Sequence, residues 1–335
     1  MTGVRPRFVA ITGATASGKT DLSLALARLM PVEIVSMDSR QVYRGMDIGT
    51  DKVDRAGREA VPHHGLDLVD PHERYSAGRF ARDVRRWIVD IESRGSLPLL
   101  VGGTGFFLRS LMEPIFREPE LDRERREVLR AWLGGRSAEE LARMVRRLDP
   151  ERAELAVQGG PQRMGRAIEV ALLTGVPLSV WHREAPPDGE GVPGVVLVLD
   201  LPREEMDRRI DDRVGRMVDR GLVDEVRRLL DAGAADDAPG MTGTGYREIS
   251  AFLRGETTLD GAMDEIRRQT RRYARRQVTW FRHQLPDSAV RIDATLPLAR
   301  QVATALSALR AAGIEVPERR THSDAGAEAP GSRHA

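Results

Sequence analysis

Cysteine is absent from the 335 residues. That excludes disulfides, thiolate metal sites and thiol catalysis, and it suits a cytoplasmic protein. Lysine is almost absent too: Lys19 and Lys52 stand alone among 52 basic side chains, the rest being arginine. The net charge is +1, so the molecule as a whole is no polycation. A nucleic-acid surface must then come from local clustering of arginine. No run approaches 18 uninterrupted apolar residues, and Met1–Arg7 lacks the pattern of an export signal. The chain is therefore expected neither to span nor to cross a membrane, and 335 residues allow one large domain or two smaller ones.

What is present is led by Gly13-Ala14-Thr15-Ala16-Ser17-Gly18-Lys19-Thr20, which fits G-x-x-x-x-G-K-[ST], the phosphate-cradling P-loop. Phe8–Thr12 before it is a short apolar run of strand type, and Asp21–Ala27 after it has helical spacing. In such a unit the glycines let backbone N–H groups converge on phosphate oxygens. Lys19 adds a point charge, and the Thr20 hydroxyl can hold Mg²⁺. The segment predicts a di- or triphosphate site, of the class that includes ATP-binding proteins.

Four segments read as buried strands: Phe8–Thr12, Glu33–Ser36, Leu97–Val101 and Val195–Asp200. Helical patterns such as Ala77–Arg94 separate them, which predicts an α/β fold, a P-loop NTPase-like parallel sheet flanked by helices. From Phe116 the character turns all-helical, with a capping box at Ser137-Ala138-Glu139-Glu140 and a helix-closing Gly175. We read 1–115 as the first part of the core and 116–190 as a helical insertion ending in the loop Ala185–Gly191. The core resumes over 191–316, with helices at Glu204–Gly233 and Leu259–His283, and a disordered tail is expected over 317–335.

Asp38 directly follows the second strand, and Gly102-Gly103-Thr104-Gly105 directly follows the third. In a parallel sheet the carboxyl ends of strands face the ligand crevice, so both should open beside the P-loop. Asp38 there can serve Mg²⁺, act as a general base or position a hydroxyl; Thr104 can donate to a phosphate or bridge to an acceptor. Arginines gather in Gln162–Arg166, in Arg208–Arg213 and, most densely, in Arg267–Arg282. On a helix Arg268, Arg272 and Arg275 or Arg276 share a face, and with Tyr273, Gln277 and Trp280 interleaved the stripe suits a phosphate backbone and a stacked base. A charge run is also what any solvated face looks like. His63 and His64 lack the spacing of a metal site.

In this order the motifs resemble those of the bacterial tRNA dimethylallyltransferases, also called isopentenyl-tRNA transferases. The likeness runs from Phe8 to about Arg282. It rests on Gly13–Thr20, Asp38-Ser39-Arg40-Gln41-Val42-Tyr43, Ile48-Gly49-Thr50, Pro62-His63-His64, Gly102–Gly105, Arg166–Val170, Gly221–Val226, Gly245-Tyr246-Arg247-Glu248 and Thr270–Arg282. The chain departs from the family pattern at Ala14, at Phe106-Phe107 and at Gly159-Gly160-Pro161.

The resemblance implies transfer of a dimethylallyl group from dimethylallyl diphosphate to N6 of the adenosine 3′ of the anticodon, position 37, in tRNAs reading codons that begin with U. It implies that residues Gly13, Ala14, Thr15, Ala16, Ser17, Gly18, Lys19 and Thr20, with Arg209 and Arg213, hold the diphosphate. Asp38 would take the N6 proton, Thr104 would bridge leaving group and reacting centre, and Mg²⁺ would sit on Thr20. Contacts to the tRNA anticodon stem-loop are implied for Asp38, Ser39, Arg40, Gln41, Thr104 and Arg126. They are implied also for Gln162, Arg163, Met164, Gly165 and Arg166, for Thr242, Gly243, Thr244, Gly245, Tyr246 and Arg247, and for Arg275, Arg276, Gln277, Val278, Thr279, Trp280, Phe281 and Arg282. The insertion would clamp the RNA, and a monomer is expected. On the residues alone, a P-loop small-molecule kinase and a nucleotide-regulated RNA-binding protein remain as alternatives.

Overall fold

The computed structural model describes residues 5–316; the tail expected over 317–335 lies outside the described residues. In chain order the strands are β1 (Phe8–Gly13), β2 (Val32–Ser36), β3 (His63–His64), β4 (Leu97–Val101), β5 (Gly194–Asp200) and β6 (Val290–Asp293). They form one sheet in the order β3-β2-β4-β1-β5-β6, every neighbouring pair parallel. β1 is central and buried at every position, which is why it reads as an unbroken apolar run. The four strands expected from sequence are the four inner ones. The two edge strands escaped notice because one has two residues and the other, Val-Arg-Ile-Asp, alternates like an exposed edge.

The helices are α1 (Lys19–Ala27), α2 (Arg55–Ala60), α3 (Ala77–Ser93), α4 (Gly105–Met112), α5 (Arg123–Gly134), α6 (Ala138–Leu148), α7 (Ala153–Gln158), α8 (Pro161–Thr174), α9 (Leu178–Glu184), α10 (Arg203–Asp219), α11 (Leu222–Asp231), α12 (Tyr246–Leu253), α13 (Leu259–Gln284) and α14 (Leu298–Ala311). The helical stretch expected from Glu204 to Gly233 is two helices. Gly221, at φ 96°, adopts the left-handed conformation that glycine allows and turns the chain between α10 and α11. Among the described residues no helix is long and apolar enough to cross a membrane.

The chain divides into two compact units. Among the described residues, one holds 5–74, Trp87–Gly105 and 193–316; the other holds Tyr75–Arg86 and Phe106–Val192. The sheet unit is cored by Val9, Ile11, Leu22, Leu26, Leu99 and Leu197. The helical unit is cored by Leu133, Leu141, Val145, Met164 and Ile168 from α5 to α8. It takes in more chain than the 116–190 expected from sequence, because Phe107 of α4 stacks on Phe80 of α3 with ring centroids 4.4 Å apart. Within it the Ser137–Glu140 capping box and the left-handed Gly175 delimit α6 and α8. Buried Glu169 of α8 gathers Arg126, Arg130 and Arg166 at 2.8, 2.5 and 2.6 Å.

In the sheet unit, buried Glu33 of β2 is gripped by both guanidinium nitrogens of Arg94 at 2.8 Å and by His64 Nε2 at 2.8 Å. The Arg94 hydrogen bonds, outweighing burial and helped by His64, hold its carboxyl at about 2. A carboxyl depressed in the fold stabilises it above the unfolded value near 4.5 and loses that contribution as pH falls toward 2. Arg94→Ala should therefore destabilise the fold at pH 7. The deficit should shrink steadily below pH 4.5, as urea melts at a series of pH values would record.

Candidate active site

In the strand order β2-β4-β1 three neighbouring strands end side by side, and each end carries one of the sequence motifs. β1 runs into the P-loop. Gly13 is at φ 148°, where an added Cβ would lie 2.7 Å from the Leu199 carbonyl oxygen, so the loop cannot leave the strand with a side chain there. Gly18, at φ 91°, opens α1 in the left-handed region, as does non-glycine Ala16 at φ 66°. Such alternation turns successive N–H groups into an anion-binding concavity. Lys19 Nζ donates to the carbonyl oxygens of Gly13 and Ala14 at 3.1 and 2.7 Å. Burial lowers its ammonium to about 8; the Asp38 carboxylate opposes the shift and Arg213 adds to it. Thr20 is exposed at the start of the helix.

The ends of β2 and β4 are stitched together. A Cβ on Gly102 would lie 2.0 Å from the Met37 carbonyl oxygen, so only glycine permits this approach. Beyond it, Thr104 N donates to that same oxygen at 3.3 Å, and Ser39 N donates to Thr104 Oγ1 at 3.1 Å. Asp38 Oδ1 accepts from Arg40 N at 2.8 Å. Asp38 and Thr104 are thus fixed by backbone contacts. Tyr273 of α13 faces them: burial, helped by the Asp38 charge, pushes its phenol up to about 12, and Thr104 opposes the shift.

A cavity of about 1070 Å³ is lined by Thr15–Thr20, Asp38, Gln41, Gly102 and Gly103. Its far wall is basic: Arg209, Arg213, Arg216 and Arg220 recur at three- and four-residue spacing along one face of α10 and its C-terminus. Arg209 bonds Glu205 and the Ala294 carbonyl, while Arg213 and Arg220 reach Asp51 at 3.4 and 3.5 Å. The sequence reading had the first two; the last two follow from the same helical spacing. His63 lines another part of the cavity, its Nδ1 donating to Val61 O at 2.8 Å and burial lowering its imidazole. Among the described residues no group of three or more His, Asp or Glu could hold a metal by itself. A Mg²⁺ here would instead be held by the Thr20 hydroxyl and a bound diphosphate, an oxygen-donor set that suits the ion.

Several residues expected to touch RNA lie elsewhere. Tyr246 is 1 % exposed, and its hydroxyl donates to Glu225 Oε1 at 2.6 Å. The same buried carboxylate accepts the N–H groups of Asp47, Ile48 and Gly49, so this pair supports the loop after β2. Phe281 and Met164 are core residues, and Gly243 and Gly245 are buried. Arg126 and Arg166 spend their charge on Glu169, and Gln277 is buried against the P-loop. Each of these residues is packed or hydrogen-bonded within the protein in this structure. Packing decided each, and it leaves no mark in residue type.

Ser39, Arg40 and Gln41 stay near the site, Arg40 bonding Pro239 O and Gln41 accepting from Ser36. Thr242, Thr244 and Arg247 are exposed, as are Gln162 and Arg163, and Gly165 is half-buried. On α13, Arg275 faces Asp207 and Arg276 lies over the Tyr273 ring at 5.7 Å. Thr279 and Arg282 are exposed, Val278 is half-buried, and Trp280 packs on Gly105.

A P-loop at the carboxyl edge of a parallel sheet, opening on an arginine-walled cavity with a carboxylate at its rim, defines a phosphate-binding α/β protein. The family model described as IPP transferase matches residues 41–284. The chain is 44 % identical over 278 residues to the tRNA dimethylallyltransferase of Geobacter metallireducens, covering 83 % of this chain and 90 % of that one. It is 45 % identical over 284 residues to the tRNA dimethylallyltransferase of Thermomicrobium roseum, covering 83 % and 84 %. It is similar to the crystal structure of the full-length tRNA isopentenylpyrophosphate transferase of Bacillus halodurans, with TM-score 0.65, 33 % identity and coverage of 91 % and 97 %. A eukaryotic dimethylallyltransferase captured acting on tRNA aligns with TM-score 0.75 at 26 % identity, over 95 % of this chain and 82 % of that one. The chain belongs to the IPP transferase family.

Two outcomes test the site. A bound diphosphate favours the charged Lys19, so at pH 8 inorganic pyrophosphate should bind with uptake of roughly half a proton from this group. Affinity should weaken as pH rises above 8, and titration calorimetry in buffers of different ionisation enthalpy should show the Lys19 share of the uptake missing in Lys19→Arg. Tyr246→Phe should lose about 1–3 kcal/mol of stability in urea melts while RNA affinity changes less than about twofold, because the hydroxyl serves Glu225.

Proposed function

We propose that this chain transfers the dimethylallyl group of dimethylallyl diphosphate to N6 of the adenosine immediately 3′ of the anticodon in tRNA. The observation that carries the reading is Asp38 at a strand end beside the P-loop, in an arginine-walled cavity, with Thr104 held by Ser39 N next to it. The names of the relatives support it.

An exocyclic adenine amine is a weak nucleophile, its lone pair being delocalised into the ring. The electrophile must therefore loosen first: the allylic C–O bond breaks as the C–N bond forms, and diphosphate leaves with its electron pair. Stabilising that leaving group falls to the loop N–H groups, Lys19, Arg209 and Arg213. The Thr20 hydroxyl would hold Mg²⁺, which would supply further positive charge to the leaving diphosphate. Asp38 takes the proton released from N6. Thr104, fixed by Ser39 N, is placed to hold the leaving diphosphate against the reacting carbon. An adenine inside the anticodon stack cannot enter a cavity, so it must be flipped out. Exposed arginines such as Arg282 and Arg163 supply charge for the RNA backbone.

Mass spectrometry of unmodified tRNA incubated with the protein, Mg²⁺ and dimethylallyl diphosphate, without ATP, should show one prenyl group gained at that adenosine. Asp38→Asn should lower kcat by roughly 10²- to 10⁴-fold with tRNA affinity changed less than about twofold. Phosphoryl transfer from ATP to a small acceptor, with no prenyl gain, would replace this reading by a kinase.

A further inference from the structure

Gln277 sits midway along α13 and is 6 % exposed. Its Oε1 accepts hydrogen bonds from Thr15 N at 2.9 Å and Thr15 Oγ1 at 3.1 Å. Its Nε2 donates to Gly103 O at 2.8 Å. One amide therefore joins the P-loop to the turn that carries Thr104. It lies directly on that turn: a Cβ added to Gly103 would be 2.3 Å from Nε2.

A residue one turn away on the same stripe of α13 does related work. Trp280 covers Gly105 so closely that a Cβ there would lie 2.2 Å from its ring. Two residues of the helix, Gln277 and Trp280, thus back the turn at Gly103 and Gly105. At the base of both loops Thr12 Oγ1 also donates to Gly102 O at 2.9 Å, which fixes the strands but not what lies beyond them.

Beyond the strand ends one loop presents a donor pair and the other a carbonyl. A bridge between them must accept at one end and donate at the other. An amide does both; a carboxylate or an apolar side chain of the same length does not.

We propose that Gln277 is a positioning residue for the transfer: its amide sets the separation of the P-loop from Thr104, and it does not contact RNA. The inference rests on the transferase reading for its rate measurements only. A misplacement of about 1 Å between reacting groups can cost on the order of 100-fold in rate. Gln277→Met keeps the shape and removes the bonds. It should lower kcat roughly 10- to 100-fold and raise the Kd for inorganic pyrophosphate roughly fivefold, with the Kd for tRNA changed less than about twofold.

Gln277→Glu keeps the acceptor but turns a second oxygen on the Gly103 carbonyl. Its activity relative to wild type should rise as pH is lowered from 8 to 6, because the protonated acid restores the donor and burial raises the pKa of such a carboxyl. Thr15→Val removes one of the three bonds at a half-exposed position and serves where the core variants do not fold. It should weaken pyrophosphate binding roughly twofold to fourfold. A tenfold loss of tRNA affinity in Gln277→Met with kcat intact would overturn the proposal, as would a Gln277→Glu pH profile parallel to that of wild type. If wild type makes no prenylated product, the transferase reading fails while the pyrophosphate measurements still decide the role of Gln277.

Discussion

The site depends on how closely β4 approaches the end of β2. At Gly102 the backbone runs so near the Met37 carbonyl that a single carbon would overlap it. That contact brings Thr104 within hydrogen-bonding distance of the Met37 carbonyl and of Ser39, and so sets Thr104 beside Asp38. Because β4 also pairs with β1, the strands fix the base of both loops, and the Gln277 amide bridges what lies beyond them. The chemistry proposed for Asp38 needs that spacing.

Charge is distributed with a similar economy. In a chain so rich in arginine, most guanidinium groups near the sheet and in the helical unit find carboxylates. Arg267, Arg268, Arg271 and Arg275 on α13 pair with Asp264, Glu265, Asp211 and Asp207. A run that looks uniformly cationic in sequence is largely neutralised along its length. The α10 stripe lines the cavity and has carboxylate partners too, Arg209 on Glu205 and Arg213 and Arg220 sharing Asp51 at longer range. Lys19 loses proton affinity chiefly through burial; Arg213 of that stripe adds to the shift, while Asp38 and Asp51 oppose it.

Two buried polar groups hold the architecture around this pocket, Glu225 under the loop after β2 and Gln277 between the two site loops, and Glu169 does comparable work inside the helical unit. Each satisfies several donors or acceptors, which is the condition for burying it at all. Each also lies in a motif that reads as functional, and for Tyr246, Gln277, Arg126 and Arg166 the partner is protein. A polar residue in a recurring motif signals a constraint, and the constraint can be a backbone hydrogen bond as readily as a ligand.

The parallel sheet was legible because inner strands buried on both faces become apolar runs, and the P-loop because a backbone cradle for phosphate needs glycine and lysine at set positions. The placing of Asp38 and of the Gly102–Gly105 turn at strand ends was legible too, since the carboxyl edge of such a sheet is where ligands bind. The edge strands were not, being short and polar, and neither was the boundary of the helical unit, which follows from Phe107 stacking on Phe80. Tertiary structure alone decided which arginines line the cavity and which side chains of α13 face inward. Both depend on partners distant in sequence, Asp207 and Asp211 on one helix and Thr15 and Gly103 on two loops, and local pattern carries no record of a partner.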